Sequence, residues 1–99
     1  MRMMLKISIP VTEGNGAIKD GTLATIMEKA LAQLRPEAAY FTLDNGNRTA
    51  FIVFDMTDVK TMPSIAEPFF TGFGARIDMT PVMNADDMRA GLKAIMHAA

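Results

Sequence analysis

Two neighbouring stretches of this chain are apolar at consecutive positions, and that restricts the folds open to it. Ala38-Ala39-Tyr40-Phe41 and Ala50-Phe51-Ile52-Val53-Phe54 flank the segment Asp44-Asn45-Gly46-Asn47. Asn-Gly favours the positive backbone φ of a tight reversal, so the two stretches read as a β-hairpin. A hairpin with one face in water alternates apolar and polar residues. This one is apolar on both faces, so both faces need cover. The helices of a 99-residue chain can cover one. The simplest cover for the other is a second copy of the same protein.

The flanking sequence supplies the helices and two more strands. Over residues 3–9, Leu5, Ile7 and Ile9 alternate with Met4, Lys6 and Ser8, the period of a strand. Pro10 ends it, having no ladder donor, and Gly14-Asn15-Gly16 reads as a turn. Leu23, Ile26, Met27, Ala30, Leu31 and Leu34 share one helical stripe. Either Asn15 caps a helix that tolerates Gly21, or Thr22 caps a shorter one; Arg35 and Pro36 mark its end. The hairpin strands occupy about 37–43 and 48–55. Met62, Ile65, Ala66, Phe69, Phe70 and Phe73 repeat the same helical stripe, with Pro63 suited to its first turn. Pro68 predicts a kink or a short helix, and Gly72 and Gly74 supply C-cap chemistry. A fourth strand over 75–82 sets Ala75, Ile77 and Met79 against Arg76, Asp78 and Thr80. Asn84 then caps a last helix with Asp86 and Asp87 in its first turn and a stripe of Met88, Leu92, Ile95 and Met96.

The resulting order is β-α-β-β-α-β-α. Its first six elements give the split βαβ, ferredoxin-like arrangement, an α+β class with a four-stranded antiparallel sheet and here an extra C-terminal helix. Residues 1–99 are expected to form this one domain. Right-handed crossovers put both main helices on one sheet face and leave the other open.

Composition narrows the function classes. A net charge of −1 exerts no long-range pull on nucleic acid or anionic membrane. The absence of cysteine excludes disulfides, thiol catalysis and thiolate metal sites. It also fits a reducing compartment, and no apolar run approaches the length of a membrane span, so a cytoplasmic protein is expected. Ten methionines read as plastic core filler. His97, the only histidine, is the third residue from the end of the sequence and has no visible partner, so a dispensable role is expected and a metal or haem cofactor is not. RNA-recognition domains share the strand and helix order. Their basic-glycine-aromatic third-strand motif falls here on Asn47-Arg48-Thr49-Ala50-Phe51-Ile52-Val53-Phe54, which lacks the basic residue, the glycine and the first stacking aromatic in their places.

Several segments carry a resemblance. They are Ile9-Pro10-Val11, Gly14-Asn15, Ile18-Lys19-Asp20-Gly21, Arg35 to Phe41, Arg48-Thr49, Ile65-Ala66-Glu67-Pro68-Phe69-Phe70 and Pro81-Val82-Met83. With these the chain resembles an uncharacterised family of small bacterial proteins in the dimeric α/β barrel superfamily, whose ferredoxin-like protomers pack sheet to sheet. The resemblance implies fold and homodimerisation. It attaches no shared activity, although better-known members of the superfamily include cofactor-free monooxygenases and isomerases.

The candidate site follows from the strand pattern. Lys6 and Ser8 share one face of the first strand, and Arg76, Asp78 and Thr80 share one face of the fourth, its antiparallel neighbour. Lys6 and Asp78 are therefore expected to pair across strands. Leu5, Ile7, Ile77 and Met79 must face the helices, so the polar set faces the partner sheet, with Tyr40 and Thr42 beside it. A small, partly polar organic molecule held there by Lys6 or Arg76 is the expected ligand. No catalytic constellation stands out, so a non-catalytic binding or assembly module is expected, with a cofactor-free enzyme as the alternative.

Overall fold

The computed structural model describes residues 1–98. Its elements are β1 (Arg2–Ile9), α1 (Val11–Lys19), α2 (Thr22–Leu34), β2 (Ala38–Asp44), β3 (Asn47–Asp55), a 3₁₀ turn at Val59–Thr61, α3 (Met62–Phe73), β4 (Arg76–Pro81) and α4 (Ala85–Ala98). The four strands form one open antiparallel sheet in the order β2-β3-β1-β4. This is compatible with a ferredoxin-like arrangement.

One face of that sheet carries the core. Leu5, Ile7, Ile52 and Phe69 are fully buried, and Phe54 and Phe73 nearly so. Helices α1, α2 and α3 close over this face, with Leu23, Ile26, Met27, Leu31 and Leu34 of α2 packed at the edge of the cluster. Both expected helical stripes are present, and Ile65, Ala66, Phe69 and Phe73 are the buried part of the second.

The segment after Pro10 differs from the expectation. Gly14-Asn15-Gly16 lies inside α1 and not in a turn. The physical reason is Arg48, whose guanidinium bonds Asn15 Oδ1 at 3.0 Å and the Val11 carbonyl at 3.5 Å. A Cβ at position 14 would stand 2.5 Å from Arg48 Nη1 and 3.2 Å from Ile9 Cγ2. Glycine there lets the helix lie against β3, and this contact outweighs the low helix propensity of the Gly-Asn-Gly sequence. Neither Asn15 nor Thr22 caps the second helix. Gly21, at φ 81°, breaks the chain between α1 and α2, and Asp20 Oδ1 accepts the Thr22 N–H at 2.9 Å.

Pro68 does not shorten α3, which runs unbroken from Met62 to Phe73 and ends on Gly74 at φ 59°. Arg35 ends α2 in the left-handed region, at φ 45°. Asn84 caps α4 as its sequence suggests: Asn84 Oδ1 accepts the Asp87 N–H at 2.8 Å, and Asp87 Oδ2 accepts the Asn84 N–H at 3.2 Å. This is a reciprocal capping box.

The helices cover less of the hairpin than the sequence suggests. On the helix side of β2, Phe41 and Leu43 remain 58% and 73% exposed. The edge strand reaches beyond the helical layer, so residues 40–43 of β2 are exposed on both sides in the single chain, while Ala39 still packs against the core. No helix among the described residues is long and apolar enough to cross a membrane.

Candidate functional site

Strand register assigns the open face residue by residue. Side chains directly opposite one another in paired strands share a face. Three rows therefore cross the sheet from β2 to β4. The first is Ala38, Val53, Met4 and Thr80; the second is Tyr40, Phe51, Lys6 and Asp78; the third is Thr42, Thr49, Ser8 and Arg76. All seven side chains expected to line a ligand site, Lys6, Ser8, Tyr40, Thr42, Arg76, Asp78 and Thr80, thus stand on the face away from the helices.

They do not all meet. A cleft of about 610 Å³ opens at one end of this face. Lys6, Ser8, Arg76 and Asp78 form part of its wall, together with Thr12 and Glu13 of α1 and Asp44, Asn45 and Asn47 of the hairpin turn. Tyr40, Thr42 and Thr80 lie outside it. Tyr40 and Thr80 belong to the two rows farther from the turn, which hold the apolar residues Ala38, Met4, Val53 and Phe51. The second row also supplies Lys6 and Asp78 to the cleft, so the open face divides into a mainly apolar band on β2, β3 and Met4 and a polar end on β1 and β4.

The expected ion pair between Lys6 and Asp78 is not made. The two residues are in register, but Lys6 Nζ lies 2.8 Å from Asp44 Oδ2. Its stem crosses β3, and the ammonium stands 5.7 Å from the centre of the Phe51 ring. That position adds an aromatic face to the carboxylate and outweighs simple adjacency. Asp78 instead faces Arg76 on its own strand, 3.6 Å from Nε. Both pairs are partly open to water, so each adds little to stability, on the order of 0–1 kcal/mol.

The cleft presents two cations, three carboxylates, hydroxyls and side-chain amides. The Arg76 side chain is 81% exposed, and a guanidinium can fork onto a carboxylate-like group. Ser8, Thr12, Asn45 and Asn47 supply donors and acceptors for hydroxyl or carbonyl groups. His97 is exposed on α4 and takes no part in the cleft wall. Among the described residues, no three His, Cys, Asp or Glu side chains are grouped as a metal site would require.

Part of this wall was not visible in the sequence. Thr12 and Glu13 were hidden because residues 10–16 read as a strand end and a turn, while in fact α1 starts directly at the sheet. Asp44, Asn45 and Asn47 read only as hairpin chemistry. The signal available for them was the polarity of the whole turn, which exceeds what Asn-Gly alone needs.

A second hollow, of about 350 Å³, lies on the other side of the sheet between α2 and the hairpin. Its lining is largely apolar and includes Leu23, Met27, Phe41 and Ala50.

At the far end of the sheet Arg2 holds two elements together. Its guanidinium pairs with Glu37, just before β2, and its Nη1 lies 3.2 Å from Asp87 Oδ2 on α4. The hydrogen bond and charge of Glu37 raise the Arg2 pKa above its ordinary value.

The sequence profile of a family described as "Domain of unknown function (DUF3303)" matches residues 1–96. No curated protein matches the chain.

Proposed function

Because the chain belongs to the DUF3303 family, whose description assigns no activity, we propose a role read from its surfaces: a cytoplasmic, homodimeric, non-catalytic binding module. Two copies close their open sheet faces against each other in the manner of a dimeric α/β barrel. A small polar organic molecule occupies the polar end of the closed space.

The observation that carries this reading is the division of the open face. Ala38, Met4, Val53 and the Tyr40–Phe51 pair form an apolar band, and Tyr40 is 70% exposed in the single chain. Apolar area of this kind gains about 25 cal/mol for each Å² removed from water, which favours a second sheet over solvent. The polar end keeps its charged groups beside an open cleft, where a ligand with both acceptor and donor groups finds complementary partners. The absence of cysteine supports the reducing compartment. An enzymatic role has no comparable support, since the residues of the cleft wall form no nucleophile with an oriented base.

A thermal-shift screen of small polar organic acids and hydroxy acids tests the ligand part. Hits are expected to weaken at least tenfold on Lys6→Met or Asp78→Asn. Binding that survives both substitutions unaltered removes the cleft from the reading. Light scattering at micromolar concentration tests the dimer part, and a monomer mass removes it.

A further inference from the structure

Helix α4 leaves the body of the protein. Every residue from Ala85 to His97 is exposed. The molecule is 57 Å long against 28 and 18 Å across, and its radius of gyration of 16.1 Å exceeds the roughly 13 Å of a compact 100-residue domain. Yet α4 is built for packing. Met88, Leu92 and Ile95 fall at i, i+4 and i+7 on one stripe, with Met96 beside it, and they are 48–77% exposed. An isolated helix of about this length is marginal in water, because most helical stability in proteins comes from packing an apolar face. A capped helix with a complete apolar stripe and nothing beneath it among the described residues implies a surface elsewhere.

Two observations say which surface. The first is where α4 begins. Arg2 lies on the open face, one register step beyond Met4, and its guanidinium holds Asp87 in the first turn of α4. The helix base is thus fixed beside the face proposed to meet a second copy. The second is area. A four-stranded sheet with strands about 4.8 Å apart and about 25 Å long offers a footprint of only roughly 500 Å² per copy, or about 1,000 Å² for a pair. Specific dimers bury about 1,200–2,000 Å² in total. A helix of this length, about 21 Å long and 10 Å wide, adds roughly 200 Å² on each surface it joins, so two exchanged arms bring the pair into that range.

We propose that α4 is an exchanged arm, packing its Met88–Leu92–Ile95 stripe on a second copy of this chain, against the bare side of that copy's β2. The acceptor is the apolar hollow bordered by Phe41, Leu23 and Met27, with exposed Leu43 two residues past Phe41 on the same face of β2. This gives cover to the side of β2 that the helices of its own chain leave uncovered. The proposal rests on the dimer reading above, and the following tests separate the two.

Sedimentation velocity compares the wild type with Leu92→Asp/Ile95→Asp and with Tyr40→Asp. All three sites are exposed in the single chain, so each variant retains its fold. The wild type is expected to be dimeric, and each variant to dissociate at least tenfold more readily. A monomeric wild type overturns both proposals. An unchanged arm variant beside a weakened Tyr40→Asp overturns the arm alone. A weakened arm variant beside an unchanged Tyr40→Asp keeps the arm and removes the sheet-face dimer.

The chain has no cysteine, so introduced thiols report unambiguously. Copies carrying Phe41→Cys, mixed with copies carrying Leu92→Cys, are expected to join as mixed dimers with a short bis-maleimide. A double variant that cross-links only within one chain shows the helix folding back on its own body and overturns the exchange.

Discussion

Gly14 is where one missing Cβ ties two elements together. The space a side chain would fill is taken by the Arg48 guanidinium, which fastens α1 to β3 through Asn15 and Val11. Gly16, two residues on in the same helix, has nothing within 4 Å of the Cβ it lacks. The two positions therefore predict opposite outcomes. Gly16→Ala should stabilise by about 0.5–1 kcal/mol, the ordinary gain of alanine over glycine in a helix. Gly14→Ala should destabilise by a net amount of about 1 kcal/mol, since the added Cβ displaces the Arg48 guanidinium from Asn15 and Val11 at a cost that exceeds the same gain, lowering Tm by about 4–8 °C. Thermal melts of both variants check this, and a higher Tm for both contradicts the Arg48 clamp. Asp20 gives a pH prediction. Its side-chain hydrogen bond with Thr22, and then the Thr22 N–H, hold its pKa below the usual carboxylate value. The stability this contributes is complete above the unfolded value of about 3.9 and is lost as pH falls through the lower folded value. The Tm difference between wild type and Asp20→Asn should therefore be largest near neutral pH and shrink toward pH 2. A constant difference across that range contradicts it. Single residues were partly legible in the sequence. Alternation on β1 and β4 correctly placed Lys6, Ser8, Arg76 and Asp78 on one face. Their partners were not legible, because the reach of Lys6 over Phe51 to Asp44 depends on a register two strands wide.

Elements were easier to read than their partners, and the reason is periodicity. The stripes of α2 and α3 and the alternation of β1 and β4 each repeat several times, so no single residue decides them. The exception is α1. Two glycines and an asparagine in nine residues outweigh any stripe, and the contact that nonetheless holds the segment helical comes from Arg48, more than thirty positions away. Helix α4 is the opposite case. Its cap, first-turn acids and stripe were all legible, but its direction away from the body was not, because a stripe states that a helix packs and not on what. Hydrogen exchange tests its placement. At concentrations well below the dimer dissociation constant, α4 amides beyond the capping box should exchange nearly as fast as an unfolded peptide, while those of β1, central in the sheet, exchange slowest. At high concentration α4 should gain protection together with β2. Strong α4 protection that does not change with concentration contradicts the exchanged arm.

The chain as a body leaves too much apolar surface bare for its size. Tyr40, Phe41 and Leu43 stand exposed along one edge strand, and Met88, Leu92 and Ile95 along one projecting helix. An apolar edge strand is an invitation to mispair unless something covers it. The two-sided hairpin visible in the sequence already carried this conclusion, since Ala38 to Phe41 and Ala50 to Phe54 cannot satisfy both faces with one helical layer. What it could not carry was the division of the open face, which emerges only when register sets Tyr40 beside Phe51 and Ser8 beside Arg76. Ligand cleft and exchanged arm both depend on a second copy of the chain. A native mass spectrum of freshly purified protein at micromolar concentration decides whether two copies associate. Association predicts a dominant species at twice the chain mass of 10.8 kDa. A spectrum dominated by the single chain at that concentration contradicts it.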